Sequence, residues 1–301
     1  MFDARLNEIP TFLDVVEAGS FAAAAVRRNV TRSAIAKSIA RTETRLGVRL
    51  FHRTTRQLTL TDEGGRYYEH CRRLVAELLD MEAAISDERH SAVGCVRISA
   101  PVLVGRHCVA PVLRRLLRTH PQLEVQMSLT DRIVDVAAEG FDLAIRVGKI
   151  EDSTTLVARK IASQHMAIFA SPAYLAKHGR PITMEQLLEH SGVLYGTSTQ
   201  TPSWHVRDLK GRSHEVHMVG RERYDDLQTV ADAAIEDGGL AWLPRWLGAP
   251  HVAAGQLEMV MDSDRVVPVA VHAVWPQTRY LPQRIRLTID ALAAQAPAFL
   301  D

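Results

Sequence analysis

The sequence predicts an α/β protein with an all-α head: a winged helix-turn-helix, a long linker helix and a C-terminal α/β domain. Three observations predict it. Apolar residues recur at almost wholly helical spacing up to Arg89, whereas beyond it short runs such as Val96-Arg97-Ile98 and Leu123–Leu129 alternate with helical stretches. Between residues 62 and 90, Tyr67, Cys71, Leu74, Leu78, Met81 and Ile85 follow at spacings of 4, 3, 4, 3 and 4, the a/d seam of a coiled coil. Over residues 27–61, nine basic residues meet the single acid Glu43, a local charge of +8. The whole chain, with 36 Lys and Arg against 35 Asp and Glu, carries only +1, so the excess is confined to the head.

In chain order, Asn7 can cap a first helix whose first turn tolerates Pro10, because the amide that proline lacks would be unpaired there. Ile9, Phe12, Leu13 and Val16 give its buried face, and Gly19 ends it. Ser20 caps a short second helix with Phe21, Ala24 and Ala25 on one side. Thr31 caps a third, from about Arg32 to Leu46, with an Ile35, Ile39, Leu46 stripe and Arg32, Ser33, Lys37, Arg41 and Arg45 around it. Two helices joined by so short a turn outline a helix-turn-helix, and residues 50–60 read as a two-stranded wing. Thr61, followed by Asp62 and Glu63, starts the linker helix, which runs to about Arg89. Its seam implies dimerisation, with packing on its own domain as the alternative.

In the C-terminal half, residues 95–99 read as a strand that turns at Ala100-Pro101 into a helix over about 104–117, and the free amides at such a helix start favour an anion. A second strand ends at Thr130-Asp131, and residues 141–148 make a third. Ligands collect at strand ends in an open parallel sheet, so Pro101, Val102, Thr130 and Arg146 are candidates for one wall of a pocket. Thr130 as a local cap, Arg146 as the partner of a buried acid and Tyr224 as core stay open as alternatives. Residues 158–163 and 266–269 cross to and from a second subdomain. The expected division is 1–61 for the winged helix-turn-helix head, 62–90 for the linker helix and 91–301 for the C-terminal domain, split into subdomain I (91–161 and 268–301) and subdomain II (162–267).

Composition and motifs exclude other classes. With 47% apolar and 24% charged residues the chain is neither disordered nor fibrous. It shows no signal-peptide pattern and no uncharged apolar stretch of membrane-spanning length, so a cytoplasmic protein with no membrane partner is expected. Cys71, Cys95 and Cys108 form neither a disulfide framework nor a zinc site, and a redox sensor would need cysteines in subdomain II, which has none. No G-x-S-x-G, G-x-x-x-x-G-K-[ST] or H-E-x-x-H occurs. His214-Glu215-Val216-His217 comes nearest, in a stretch read as strand or loop, where histidines three apart do not share a side. No catalytic residue, cofactor or metal site is expected.

Residues 12–25 (FLDVVEAGSFAAAA), 30–37 (VTRSAIAK) and 45–56 (RLGVRLFHRTTR) resemble the LysR-type transcriptional regulators. In the second half, residues 97–101 (RISAP), 130–132 (TDR), 139–148 (EGFDLAIRVG) and 170–175 (ASPAYL) resemble one large subgroup of that family. The resemblance implies a winged helix-turn-helix on pseudo-palindromic promoter DNA, a linker helix that makes a homodimer, often a homotetramer, and RNA polymerase as a further partner. It also implies a periplasmic-binding-protein-like domain whose two α/β subdomains hold a small effector, commonly an organic or aromatic acid, and no enzymatic activity. Thr31, Arg32, Ser33, Lys37 and Arg41 would then lie in or beside the major groove, with Arg53, Thr54 and Arg56 placing the wing on the backbone and Ser20 as a further DNA-binding residue. Ala100, Pro101, Val102, Thr130, Arg146, Tyr195 and Tyr224 would line the effector cleft.

Four positions depart from the family's pattern: Arg28 and Thr42 where leucine is usual, Asn29 for a glycine and Ala36 for a serine. Arg28 is expected to snorkel, Thr42 to cost buried area in the three-helix core, and Ala36 to remove a phosphate contact. They raise the alternative of a small-molecule sensing module with weakened or lost DNA binding.

Overall fold

The computed structural model describes residues 2–53, 58–85, 93–196, 203–208, 210–261, 266–278 and 280–300; the side chains of 2–7, 53, 76, 77 and 79–85 lie outside the description. Backbone contacts divide the chain into Met1–His90 and Ser91–Asp301.

The first unit runs α1 (Phe2–Ala18), α2 (Phe21–Arg27), α3 (Arg32–Leu46), β1 (Phe51–Arg53), β2 (Leu58–Leu60) and α4 (Asp62–Ile85), with β1 and β2 antiparallel as a wing. Side-chain caps set the helix starts: Ser20 Oγ accepts from the Ala23 amide at 3.1 Å, Thr31 Oγ1 from Ala34 at 3.2 Å and Thr61 Oγ1 from Gly64 at 2.9 Å. Asn29, standing for the usual glycine, adopts φ 53°, a left-handed conformation that asparagine tolerates. Helix α1 starts earlier than expected, so Asn7 is not its cap and Pro10 lies inside it. The proline ring is exposed, and its missing amide forgoes a single bond on the solvent side.

Phe12, Val15, Ala24, Ala25, Ile35, Ile39, Leu50, Phe51 and Cys71 form the head's core, with the Phe12 ring 4.9 Å from Tyr67 and 5.5 Å from Phe51. Two expectations change here. Leu46 is left 36% exposed, and the core side of α3 is completed by the fully buried Thr42. The seam of α4 is divided: Tyr67 and Cys71 turn into the head's own core, whereas Leu74 and Leu78 stay 55% and 47% exposed. The side chains of Met81 and Ile85 are outside the described residues.

In the second unit, β3 (Gly94–Ala100) leads into α5 (Val102–Val104), which continues through a π-turn at Gly105–Val109 into α6 (Ala110–Thr119). A Cβ on Gly105 would lie 2.3 Å from Leu129 Cδ2, so glycine lets this helix rest directly on the following strand. That strand is β4 (Leu123–Leu129), followed by β5 (Leu143–Val147) and the long β6 (Leu156–Ala170). After α7 (Pro172–His178) and α8 (Met184–Leu188) come β7 (Gly192–Tyr195), a hairpin of β8 (Ser203–Arg207) and β9 (Ser213–His217), β10 (Glu222–Tyr224), α9 (Leu227–Ile235), β11 (Leu240–Pro244), α10 (Arg245–Ala253) and β12 (Glu258–Val260). The return strand β13 (Val267–Pro276), α11 (Gln283–Gln295) and α12 (Pro297–Leu300) close the chain.

Among the described residues nine strands form one sheet in the order β10-β7-β11-β6-β13-β5-β3-β4, with β12 also on β6. β3 is parallel to β4 and β5, and β7 is parallel to β10 and β11. The two parallel halves are joined by the antiparallel pair β6 and β13, in register from Val267↔Met166 to Pro276↔Leu156 with one shift at Val271/His272. One core fills the half built on β3, β5, α6 and α11, and two more cover the faces of the other half.

Candidate nucleic-acid interface and effector cleft

On α3, Ser33, Lys37 and Arg41 recur every four residues on the face opposite Ile35, Ile39 and Thr42. All three are exposed, as are Thr31 and Arg32 beside the cap. The Thr31 and Ser33 hydroxyls lie 3.0 Å apart, so the start of the helix offers a paired hydroxyl edge. Ser20 is half-buried, and its Oγ serves the α2 cap. Arg53 belongs to β1, but its side chain, with Thr54 and Arg56, falls outside the described residues. The exposed face can thus present cations and hydroxyls to phosphates and base edges.

The two departures that cast doubt on the head each have a partner. Arg28 does not snorkel; its Nη1 donates to Asp14 Oδ2 at 2.7 Å and ties α2 to α1. Thr42 Oγ1 donates to Glu8 Oε2 at 3.1 Å, with the Ser38 carbonyl at 3.2 Å. Glu8 is itself buried and takes Arg45 Nη2 on Oε2 at 3.2 Å and Arg41 Nε on Oε1 at 3.5 Å. The apolar area expected to be lost at Thr42 is replaced by a buried polar group with its bonds made, the condition under which such a group is tolerated. Arg45 also bonds the Tyr67 side chain, and this bond, with Glu8, raises the guanidinium's already high pKa.

In the second unit two of the expected effector residues, Val102 and Tyr195, meet at a carboxylate that the sequence did not single out. The Val102 amide at the start of α5 donates to Asp131 Oδ1 at 3.3 Å, and the Tyr195 side chain also bonds Asp131. The anion expected at this helix start is therefore the chain's own. Tyr195 and Tyr224 are register neighbours on the parallel strands β7 and β10, and Tyr224 donates to Glu222 Oε2 at 3.0 Å. Ala100 is buried, and its carbonyl accepts from the Thr130 amide at 2.9 Å, fixing Pro101 and Val102 beside Thr130. Thr130 Oγ1 accepts from the Arg132 amide at 3.2 Å, a local turn. Arg146 donates to the Val134 carbonyl at 2.5 Å, and Arg132 pairs with Glu139 at 2.5 Å, so both cations brace the 131–140 loop.

Charge around Asp131 follows this geometry. Burial raises the Asp131 pKa, opposed by the Val102 amide and reinforced by Asp226 and Asp225. Burial, with Asp131 close by, lifts the Tyr195 phenol far above its ordinary value, so it stays a donor. Arg132 holds Glu139 at about 2. Elsewhere in this unit, Leu103 packs into the core of the other half, the His107 and Trp246 rings lie 5.4 Å apart, and Trp246 Nε1 donates to the buried Gln164 at 3.2 Å. Sequence reasoning missed Asp131 and, near it, Asp225 and Asp226; the Thr130-Asp131 strand end was the available signal for the first. Among the described residues no group of His, Cys, Asp and Glu is arranged to hold a metal ion, and no single helix is long and apolar enough to cross a membrane.

Comparisons with known proteins agree with both halves. Residues 6–65 match the model of bacterial regulatory helix-turn-helix proteins of the lysR family, and residues 89–297 match the LysR substrate binding domain. The HTH-type transcriptional regulator DmlR of Escherichia coli is 32% identical over 288 residues, covering 95% of this chain and 93% of its own. Full-length AphB, a Vibrio cholerae virulence activator, superposes with a TM-score of 0.58 at 28% identity over 97% of this chain and 99% of AphB. CrgA of Neisseria meningitidis does so with 0.58 at 26% identity over 96% and 97%. The chain therefore belongs to the LysR family: it is a helix-turn-helix transcriptional regulator with an effector-binding domain, not an enzyme.

Proposed function

We propose that the protein binds pseudo-palindromic promoter DNA as a homodimer or homotetramer, with Ser33, Lys37 and Arg41 of each α3 in the major groove. Thr31, Arg32 and Ser20 flank that contact, and the wing's Arg53, Thr54 and Arg56 grip the backbone. The observation that carries this reading is coincidence: the local +8 falls on the same segment whose helix exposes a cationic face. The work is done on chromosomal DNA in the cytoplasm, beside RNA polymerase. The halves 91–161 with 268–301, and 162–267, are two subdomains that move about β6 and β13.

The effector is a small organic acid, aromatic acids included, bound among Ala100, Pro101, Val102, Thr130, Tyr195 and Tyr224, with Arg146 behind them. Asp131 supports this: the Val102 amide and Tyr195 already bind a carboxyl group, so an acid enters by displacing one like itself. A thermal-shift screen of aliphatic and aromatic carboxylates tests it. A ligand at about 100 times its Kd adds about 2.7 kcal/mol and raises Tm visibly. A screen in which amines shift Tm and no carboxylate does would overturn the effector class.

A further inference from the structure

We propose that Glu8 is a positioning residue for DNA recognition: from the core of the head it orients Arg41 toward DNA and holds Arg45 away from it. This rests on the reading that α3 faces DNA. Glu8 is 8% exposed, yet one carboxylate serves three side chains within a single turn of α3. Its Oε1 faces Arg41 Nε at 3.5 Å, while its Oε2 accepts from Thr42 at 3.1 Å and Arg45 Nη2 at 3.2 Å.

The two arginines are held differently. Arg41 gives Glu8 its Nε and keeps its side chain 66% exposed; among the described residues no other bond engages its two Nη groups. Those Nη groups are an edge with which a guanidinium grips a guanine or a phosphate. Arg45 gives Glu8 an Nη, bonds Tyr67 as well and is only 33% exposed. One carboxylate between two guanidiniums also removes a positive charge from this face, which weakens sequence-independent attraction more than base reading. Threonine at position 42, where the family usually has leucine, supplies the hydroxyl that keeps Glu8 in place. The two residues act as a unit.

Two variants of the full chain test this. Glu8→Gln removes the charge and keeps the shape. Glu8→Leu with Thr42→Leu fills the same space with apolar groups and protects the fold if the single variant is unstable. Each is titrated with a duplex of about 30 bp enriched by the wild-type protein from a randomised pool, and with a scrambled duplex, from about 50 to 300 mM salt. In both variants the salt slope on scrambled DNA steepens by about one per head, and the selected-to-scrambled affinity ratio falls about tenfold. If Arg41→Ala weakens binding while both Glu8 variants move neither slope nor ratio, changing only Tm, Glu8 is merely structural and the proposal is overturned. If Arg41→Ala leaves both duplexes bound as before, α3 does not face DNA, and the proposal falls together with the reading beneath it.

Discussion

Leu74 and Leu78 stand one turn apart on α4, 55% and 47% exposed, where the seam leaves the head's core. Replacing both with alanine keeps helix propensity and touches no core packing. Fully burying a leucine stabilises by about 1.5–3 kcal/mol, so the half still exposed on each is worth about 1 kcal/mol when a partner helix covers it. Two-fold symmetry brings four such residues together, about 4 kcal/mol, or about a thousandfold in dimer Kd. Sedimentation equilibrium across the micromolar range reads that change, and the Tm of the head serves as a control. An unchanged dimer Kd would show that the seam beyond Cys71 is not the interface.

Asp131→Asn probes the cleft. A carboxyl whose pKa is raised by burial stabilises the fold below the ordinary carboxylate range and loses that contribution as pH rises through the raised value. The variant is therefore more stable than wild type at neutral pH, by a margin that closes as pH falls; a margin independent of pH would contradict it. Burial pushes the Cys108 thiol to about 11 and also raises Cys71, so iodoacetamide labels neither in the native protein at neutral pH and both after denaturation. Rapid native labelling of Cys108 would refute its packing. Phe12→Ala removes the ring at the centre of the head and costs about 3–5 kcal/mol; DNA binding disappears while ligand-induced shifts of the Ser91–Asp301 unit persist. Loss of both would show that the units do not fold independently.

The features legible in the sequence are those decided within a few residues. Ser20 and Thr31 cap their helices through amides three positions on, and β3, β4 and β5 follow directly from alternation. What stayed hidden was decided at long range. Thr42 reads as a defect until Glu8, 34 positions earlier, supplies its partner, and the same burial explains why Leu46 is not needed inside. Tyr67 and Cys71 carry seam spacing but meet Phe12 and its neighbours first. Cleft candidates such as Val102 and Tyr195 are recognisable by type, whereas the carboxylate joining them comes from Asp131, and no local pattern marks it as their partner.

The measurement that bears most directly on the central claim is the salt dependence of the full chain on a duplex it has itself selected. Lys37, Arg41 and one wing arginine per head give about six phosphate contacts in a dimer, and hence a slope of log affinity against log salt of about −5. Lys37→Ala with Arg41→Ala reduces its magnitude by about four, two contacts on each of two heads. A flat response, or a slope that the double variant leaves unchanged, would contradict a DNA-reading head built on α3.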